Sequence, residues 1–286
     1  MKKIIWIIYY VMLISFSIYV VLDTLVIRKT YETVKNNSSV IADGTYTSNS
    51  YEDENIKIEL STYKENNSTI YVADIYASID YLKTAFANNT YGKNITSKTS
   101  SIASENNAVL AINGDYYGVQ EAGYVLRNGV IYRNKAKSNQ SDLVIYEDGS
   151  FEIINENDIT LEELKEHGAY QVLSFGPALI ENGVINIDES TEVGKSMASN
   201  PRTAIGIIDE NHYVFVVSDG RTSESEGLSL YELATFMKEL GVKTLYNLDG
   251  GGSSTMYFNK QVINKPTTNG RKITERSVSD IVYIGY

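Results

Sequence analysis

Asn-Gly and Asp-Gly dipeptides set between short alternating apolar runs confine much of this chain to antiparallel hairpins. Residues 124–132 turn at Asn128-Gly129, residues 143–154 at Asp148-Gly149, and residues 172–185 carry Asn182-Gly183 after a Gly176-Pro177 break. Such a connection needs φ > 0 at its centre, which Gly, Asn and Asp tolerate, and the strands it joins become neighbours. Residues 56–60 and 70–76 alternate in the same way around residues 64–68, and residues 200–209 and 211–221 around Asp209-Glu210-Asn211. Further strands are expected at 108–112, 244–248 and 276–284. Residues 229–240 have a helical period instead, apolar at 230, 233, 234, 237 and 240, with a Ser229/Glu232 capping box and a stop at Gly241. A shorter helix follows Thr160 and ends at Gly168, and residues 81–107 read as a loop with one short helix. The expected fold is α/β in the α+β sense: mixed, mostly antiparallel sheets with a few helices.

The N-terminus stands apart from that fold. Residues 4–22 are apolar and uncharged, close to the ~20 residues a helix needs to span a bilayer. No Ala-x-Ala site follows, so a single-pass, uncleaved transmembrane anchor is expected, with the remainder outside the cell; cleavage would instead leave a secreted protein. Lys2 and Lys3 are balanced by Arg28 and Lys29, so flanking charge does not set the orientation. Residues 30–50, rich in Asn, Ser and Thr, read as a polar tether. The expected organisation is an anchor at 1–29, a tether at 30–50 and a catalytic domain at 51–286.

Composition removes several chemistries. A net charge of -11 without a dense Lys/Arg cluster argues against a nucleic-acid partner. The absence of cysteine excludes disulfides, thiolate metal sites and a Cys nucleophile. Of the two histidines, His167 belongs to a solvated helix end and His212 to the turn end of a hairpin, so a Ser-His-Asp mechanism has no good candidate base.

What remains is a set of acids and glycines where apolar strands stop. Residues 108–112 run into Asn113-Gly-Asp115, residues 211–218 into Asp219-Gly-Arg221, and residues 244–248 into Asp249-Gly-Gly-Gly-Ser-Ser254. Three consecutive glycines supply nothing to a core and imply a backbone that turns with φ > 0 or lies against something. Antiparallel pairing of 200–209 with 211–221 brings Arg202 beside Asp219 and Arg221, with His212 at the opposite end.

Together, Asn113–Tyr117, Ser174–Ala178, Asn200–Ala204, Val217–Arg221, Asn247–Ser254 and Arg276–Asp280 resemble the phosphodiester glycosidase family in motif and in order, over residues 55 to 286. The resemblance implies hydrolysis of a sugar-1-phosphodiester. In that chemistry a phosphate monoester leaves, so a strong general acid matters little; cations and N–H donors to hold phosphate, and a carboxylate to activate water or attack the anomeric carbon, are what the site needs. Asp249, Asp219 and Asp115 are the catalytic candidates. Asn113, Arg202, Thr203, Arg221, Gly250, Gly251, Gly252, Ser253 and Ser254 are the candidates for binding substrate, with the arginines as phosphate clamps and the 250–254 loop as an anion nest. Ser253 has no nearby base and is read as a phosphate ligand, and Tyr116 and Tyr117 are more easily packing residues than sugar platforms. No cofactor is required, although the acids with Asn113 suit Mg²⁺ or Ca²⁺. The expected substrate is a phosphate-linked glycan or glycolipid of the envelope. The alternatives are a non-catalytic module binding a phosphorylated envelope polysaccharide and a transferase of exopolysaccharide assembly.

Overall fold

The computed structural model describes residues 2–34, 40–193 and 199–286. The centre of its nine-stranded sheet runs Thr244–Asn247, Arg202–Asp209, His212–Ser218, Ser68–Ala77. Burial along these strands follows the two-residue period. Tyr213, Phe215 and Val217 join a core with Ile58 and Ile75, whereas Val214 and Val216 face Leu233, Ala234 and Met237 of helix Leu230–Glu239. The first core is closed by Ile112, Met256 and Val282 from a five-stranded sheet ordered Gln261–Val262, Met256–Phe258, Leu110–Asn113, Asp280–Ile284, Leu82–Phe86. The two sheets therefore pack face to face. Helix Thr99–Glu105 covers the far side of the second sheet through Ile102 and Ala103. A further five-stranded sheet, centred on Ala169–Leu173, packs on helix Leu161–Glu166.

Strand pairing is antiparallel throughout the described residues. The turns have the backbone that their sequence demands: φ is 49° and 76° at Asn128-Gly129, and 50° and 76° at Asn182-Gly183. Both capping boxes form, at Thr160/Glu163 and Ser229/Glu232.

Two stretches differ from expectation. Residues 81–107 hold the expected helix but also two strands, Leu82–Phe86 and Thr90–Lys93. Leu82, Thr84 and Phe86 alternate into the interior and pair with the last strand, a signal too short and too polar to stand out. Parts of residues 30–50 are strand-paired where a free tether is expected. Lys29–Thr33 pairs with Thr90–Lys93, and Thr45–Tyr46 pairs with Ser50–Glu52. Gly92 permits the first pairing, because a Cβ there would stand 2.1 Å from the Lys29 carbonyl oxygen. Residues 35–39 lie outside the described residues. Ahead of this, helix Lys2–Leu25 is long and apolar enough over Lys3–Leu25 to cross a membrane, and none of that span is buried against the rest of the chain.

Candidate active site

Antiparallel register brings several strand ends to one place. Thr244–Asn247 pairs with Arg202–Asp209, whose first residue sits opposite Ser218, so the start of that strand and the ends of Thr244–Asn247 and His212–Ser218 lie together at one end of the large sheet's strands. Leu110–Asn113 and Asp280–Ile284 meet this edge from the second sheet: Asn113 Nδ2 donates to the Asp249 carbonyl oxygen at 2.6 Å, while its Oδ1 accepts from Thr203 Oγ1 at 2.9 Å and Thr255 N at 3.2 Å. Asn113 and Thr203 are fully buried and act as a joint between the sheets. They fix the backbone from which Asp249 projects.

A cavity of about 180 Å³ opens beside this joint, lined by Asn200, Arg202, Arg221, Asn247, Asp249, Gly250, Gly251 and Arg276, with Phe175 and Val193 at its margin. A roomier hollow of about 290 Å³ between Lys83, Asn128, Tyr132 and Tyr170 has no carboxylate in its wall. Among the described residues, three guanidinium groups meet one carboxylate in the first cavity. Arg276 Nη2 lies 3.0 and 3.2 Å from the two Asp249 oxygens, and its Nε donates to Ser253 Oγ at 2.8 Å. Arg202 is nearly buried; its Nε donates to the Leu228 carbonyl oxygen and its Nη2 pairs with Glu192, both at 2.8 Å. Arg221 is held by neutral acceptors, Asn200 Oδ1 at 2.8 Å and the Thr268 carbonyl oxygen at 2.6 Å. Among the described residues it has no carboxylate partner, so the cavity carries surplus positive charge.

The titration shifts reflect this crowding. Burial lowers the Arg221 pKa first, and the positive charges of Arg276 and Arg202 lower it further. Burial raises the Asp249 pKa above the ordinary carboxylate value, against the opposing pull of Arg276, the Ser253 hydroxyl and the Gly250 N–H. An anion arriving here would relieve the repulsion between the guanidinium groups.

The triple glycine works differently from a nest of free donors. Gly251 N donates to the Pro201 carbonyl oxygen at 2.8 Å, and Ser253 N and Ser254 N return to Gly250 O and Gly251 O. Those three N–H groups are therefore committed within the protein, and Ser253 and Ser254 are fully buried. The glycines are needed for close approach: a Cβ would fall 2.9 Å from Pro201 O at Gly250, 2.9 Å from Arg221 Nη2 at Gly251 and 2.3 Å from Thr268 Oγ1 at Gly252.

Asp115 and Asp219 do not line the cavity. Asp219 accepts from Asn264 Nδ2 at 3.1 Å, Lys265 N at 2.8 Å and Tyr71 OH at 3.2 Å, which fastens the chain after Met256–Phe258. Asp115 accepts from Ser174 N at 2.7 Å and Arg127 Nη2 at 2.8 Å. Arg127 also reaches Asp280 at 3.0 Å and the Val172 carbonyl oxygen. Asp280 is buried, and that burial together with the Asp115 charge raises its pKa to about 7 despite Arg127. His212 pairs with Asp74 and stacks on Tyr76, away from the cavity. Arg276 enters the sequence reading only as the first residue of the Arg276–Asp280 motif, with no binding or catalytic role of its own, and Asn200 and Asn247 of the cavity wall have none assigned there either. Arg276 sits in a polar run before the last strand and resembles any surface cation there.

Residues 106–285, more than half of the chain, match the family described as phosphodiester glycosidase. The chain belongs to this family. The chain is 25% identical over 191 residues to the SPbeta prophage-derived uncharacterized protein YomE of Bacillus subtilis (strain 168), covering 65% of this chain and 29% of that protein. It is 36% identical over 109 residues to N-acetylglucosamine-1-phosphodiester alpha-N-acetylglucosaminidase of Mus musculus, covering 34% of this chain and 21% of the mouse protein. The matches thus span less than a third of the length of these curated relatives. The fold is that of the zebrafish N-acetylglucosamine-1-phosphodiester alpha-N-acetylglucosaminidase catalytic domain, solved auto-inhibited by its pro-peptide: TM-score 0.65 at 21% identity, over 91% of this chain and 89% of that one. A hypothetical protein from Synechocystis shares it with TM-score 0.57 at 15% identity, over 81% and 62% of the two chains.

Proposed function

We propose that residues 51–286 form a membrane-anchored catalytic domain, outside the cell, that hydrolyses a sugar-1-phosphodiester of an envelope glycoconjugate. The observation that carries this reading is one cavity in which, among the described residues, the one lining carboxylate, Asp249, lies among Arg202, Arg221 and Arg276. The guanidinium forks match the oxygens of a phosphodiester, and the surplus charge stabilises the dianion as it forms. Asp249 acts as the general base. It takes a proton from water, the water oxygen bonds to the anomeric carbon, and the electron pair of the carbon–oxygen bond leaves with the phosphate. A carboxylate with a raised pKa suits that task, and a phosphate leaving group needs no second acid. Asn113 and Thr203 position Asp249, Ser253 orients Arg276, and Asp115 and Asp219 hold the scaffold.

No step runs through a metal. Among the described residues no group of three or more His, Asp or Glu side chains is arranged to hold one, and Asn113, which a cation site would have drawn on, has both ends of its amide committed.

A second reading, a non-catalytic binding module, is favoured by the Arg276 contact to both Asp249 oxygens, which would occupy the base if substrate did not draw Arg276 away. One assay separates the two. The intact protein should release reducing sugar from a sugar-1-phosphodiester, and Asp249→Asn should lose about 10²- to 10⁴-fold in kcat, the usual range for a general base. Full activity in Asp249→Asn refutes the assignment, and binding without turnover in the wild type supports the module.

A further inference from the structure

The junction between the apolar helix and the domain is built without slack. Only Val26, Ile27 and Arg28 separate helix Lys2–Leu25 from strand Lys29–Thr33, whose register against the domain runs from Lys29↔Lys93 to Thr33↔Thr90. Val34 N extends it with a bond to the Asn89 carbonyl oxygen at 2.8 Å. The end of the helix is held as well. Its last carbonyls have no partner within a helix, and here Asn94 Nδ2 donates to Thr24 O at 3.1 Å and Ile27 O at 3.0 Å. Asn94 belongs to the domain, where its N–H is bonded to the Gly118 carbonyl oxygen at 3.0 Å. Lys29 pairs with Asp23 of the helix at 2.7 Å, and the Tyr31 and Tyr91 rings are 5.7 Å apart.

From Asn94 a short path leads to the candidate active site. Ser97, three residues on, forms a bridge with Val278, and Arg276 lies two residues before Val278. Ser100 N and Oγ also bind the Glu275 carboxylate at 2.9 and 2.6 Å, which holds the 275–278 segment against the same region. At 3.8 Å per residue and about 5.5 Å across the bridge, the Arg276 Cα is at most about 25 Å from that of Asn94. A flexible tether would let the site sample heights well beyond this; strand pairing and a shared cap keep it at one height near the point where the helix ends.

We propose that the domain is docked on the membrane surface through Asn94 and the Lys29–Thr33 strand, and that its substrate is a glycosyl phosphodiester carried by a lipid of the same membrane. A water-soluble phosphodiester gains nothing from such a junction. A lipid-carried one is concentrated in the bilayer surface, with its phosphate at the headgroup level, where a site held at fixed height meets it repeatedly. The inference rests on the hydrolase reading above and on helix Lys2–Leu25 remaining part of the protein.

The test uses the full chain in lipid vesicles with two probes of one sugar: its 1-phosphodiester with a hexadecyl alcohol, mixed into the same vesicles, and its 1-phosphodiester with a butyl alcohol in solution. The hexadecyl ester should be turned over at least about tenfold faster at equal total amount, since confinement to one surface raises effective concentration. Two variants leave the cavity untouched. Asn94→Gly removes the cap and suits the left-handed φ of 57° at that position. An insertion of about 15 Gly/Ser residues between Ile27 and Arg28 restores a flexible link. Both should reduce hexadecyl-ester turnover several-fold, leave butyl-ester turnover unchanged, and speed hydrogen exchange at Lys29–Thr33. Equal turnover of the two esters with no effect of the insertion would overturn the docking proposal while leaving the hydrolase reading intact, as would loss of the helix from the mature protein. If neither ester is cleaved, the hydrolase reading itself fails; unchanged exchange at Lys29–Thr33 in Asn94→Gly and in the insertion variant would then overturn the docking as well.

Discussion

Gly251→Ala isolates the contribution of Arg221, because the structure provides a matched control for everything else the substitution does. Gly251 has φ of 62° and Gly241, just past helix Leu230–Glu239, has φ of 86°. Alanine in that left-handed region costs about 1–2 kcal/mol at either position. At Gly241 nothing lies within 4 Å of the added Cβ, whereas at Gly251 it falls 2.9 Å from Arg221 Nη2 and 3.3 Å from Cζ. The guanidinium is the flexible end of a long side chain, so it moves and the backbone stays. Its bonds to Asn200 and Thr268 then break, and its fork no longer points at bound phosphate. One charge-assisted hydrogen bond contributes about 1.5–3 kcal/mol, which corresponds to roughly 10- to 150-fold in kcat/KM at 1.36 kcal/mol per tenfold. Urea unfolding should show similar losses in Gly251→Ala and Gly241→Ala, while kcat/KM on a sugar-1-phosphodiester falls only in the former. If the two variants stay within about threefold of each other in kcat/KM, far below one lost charge-assisted bond, Arg221 is not a phosphate ligand.

Two further outcomes follow from the titration shifts. Arg276 opposes the burial that raises the Asp249 pKa, so Arg276→Gln should move the acid limb of the kcat/KM profile to higher pH as well as weaken binding; an unmoved limb would mean that another group titrates. Asp280 is raised to about 7, so its stabilising, neutral form is complete below the unfolded value near 4 and is lost as pH rises through 7. The wild type should lose stability between about pH 4 and 7 as this buried carboxyl ionises beside Asp115. Asp280→Asn should flatten that slope, and chemical denaturation at pH 5 and pH 8 reads it directly.

The hairpins were legible because their chemistry is local. Asn128-Gly129 and Asn182-Gly183 need left-handed backbone at both central residues, and few residue pairs supply it. The capping boxes at Thr160 and Ser229 were legible for the same reason. Strands that depend on a distant partner were harder to see: Leu82–Phe86 and Thr90–Lys93 owe their form to Asp280–Ile284 and Lys29–Thr33. The site divides along the same line. Strand-end acids and glycines stand out in the sequence, but which way an acid turns is decided by who meets it. Asp115 turns toward Arg127, and Asp219 toward Asn264 and Lys265, whereas Asp249 keeps a face on the cavity. Arg276 is brought to Asp249 by distant partners of its segment: Ser97 bridges Val278, Ser100 binds Glu275, and Arg276 N donates to the Gly252 carbonyl oxygen. The Arg276–Asp280 motif marks the segment, but nothing local in it says which group Arg276 meets.

The most direct measurement asks which bond breaks. Hydrolysis of a sugar-1-phosphodiester by the intact protein in ¹⁸O-enriched water, followed by mass spectrometry of both products, reports where the water oxygen goes. If Asp249 drives water onto the anomeric carbon while the arginines hold phosphate as the leaving group, the label appears in the reducing sugar and the phosphate monoester stays unlabelled. Label in the phosphate product would mean attack at phosphorus, and would contradict the account.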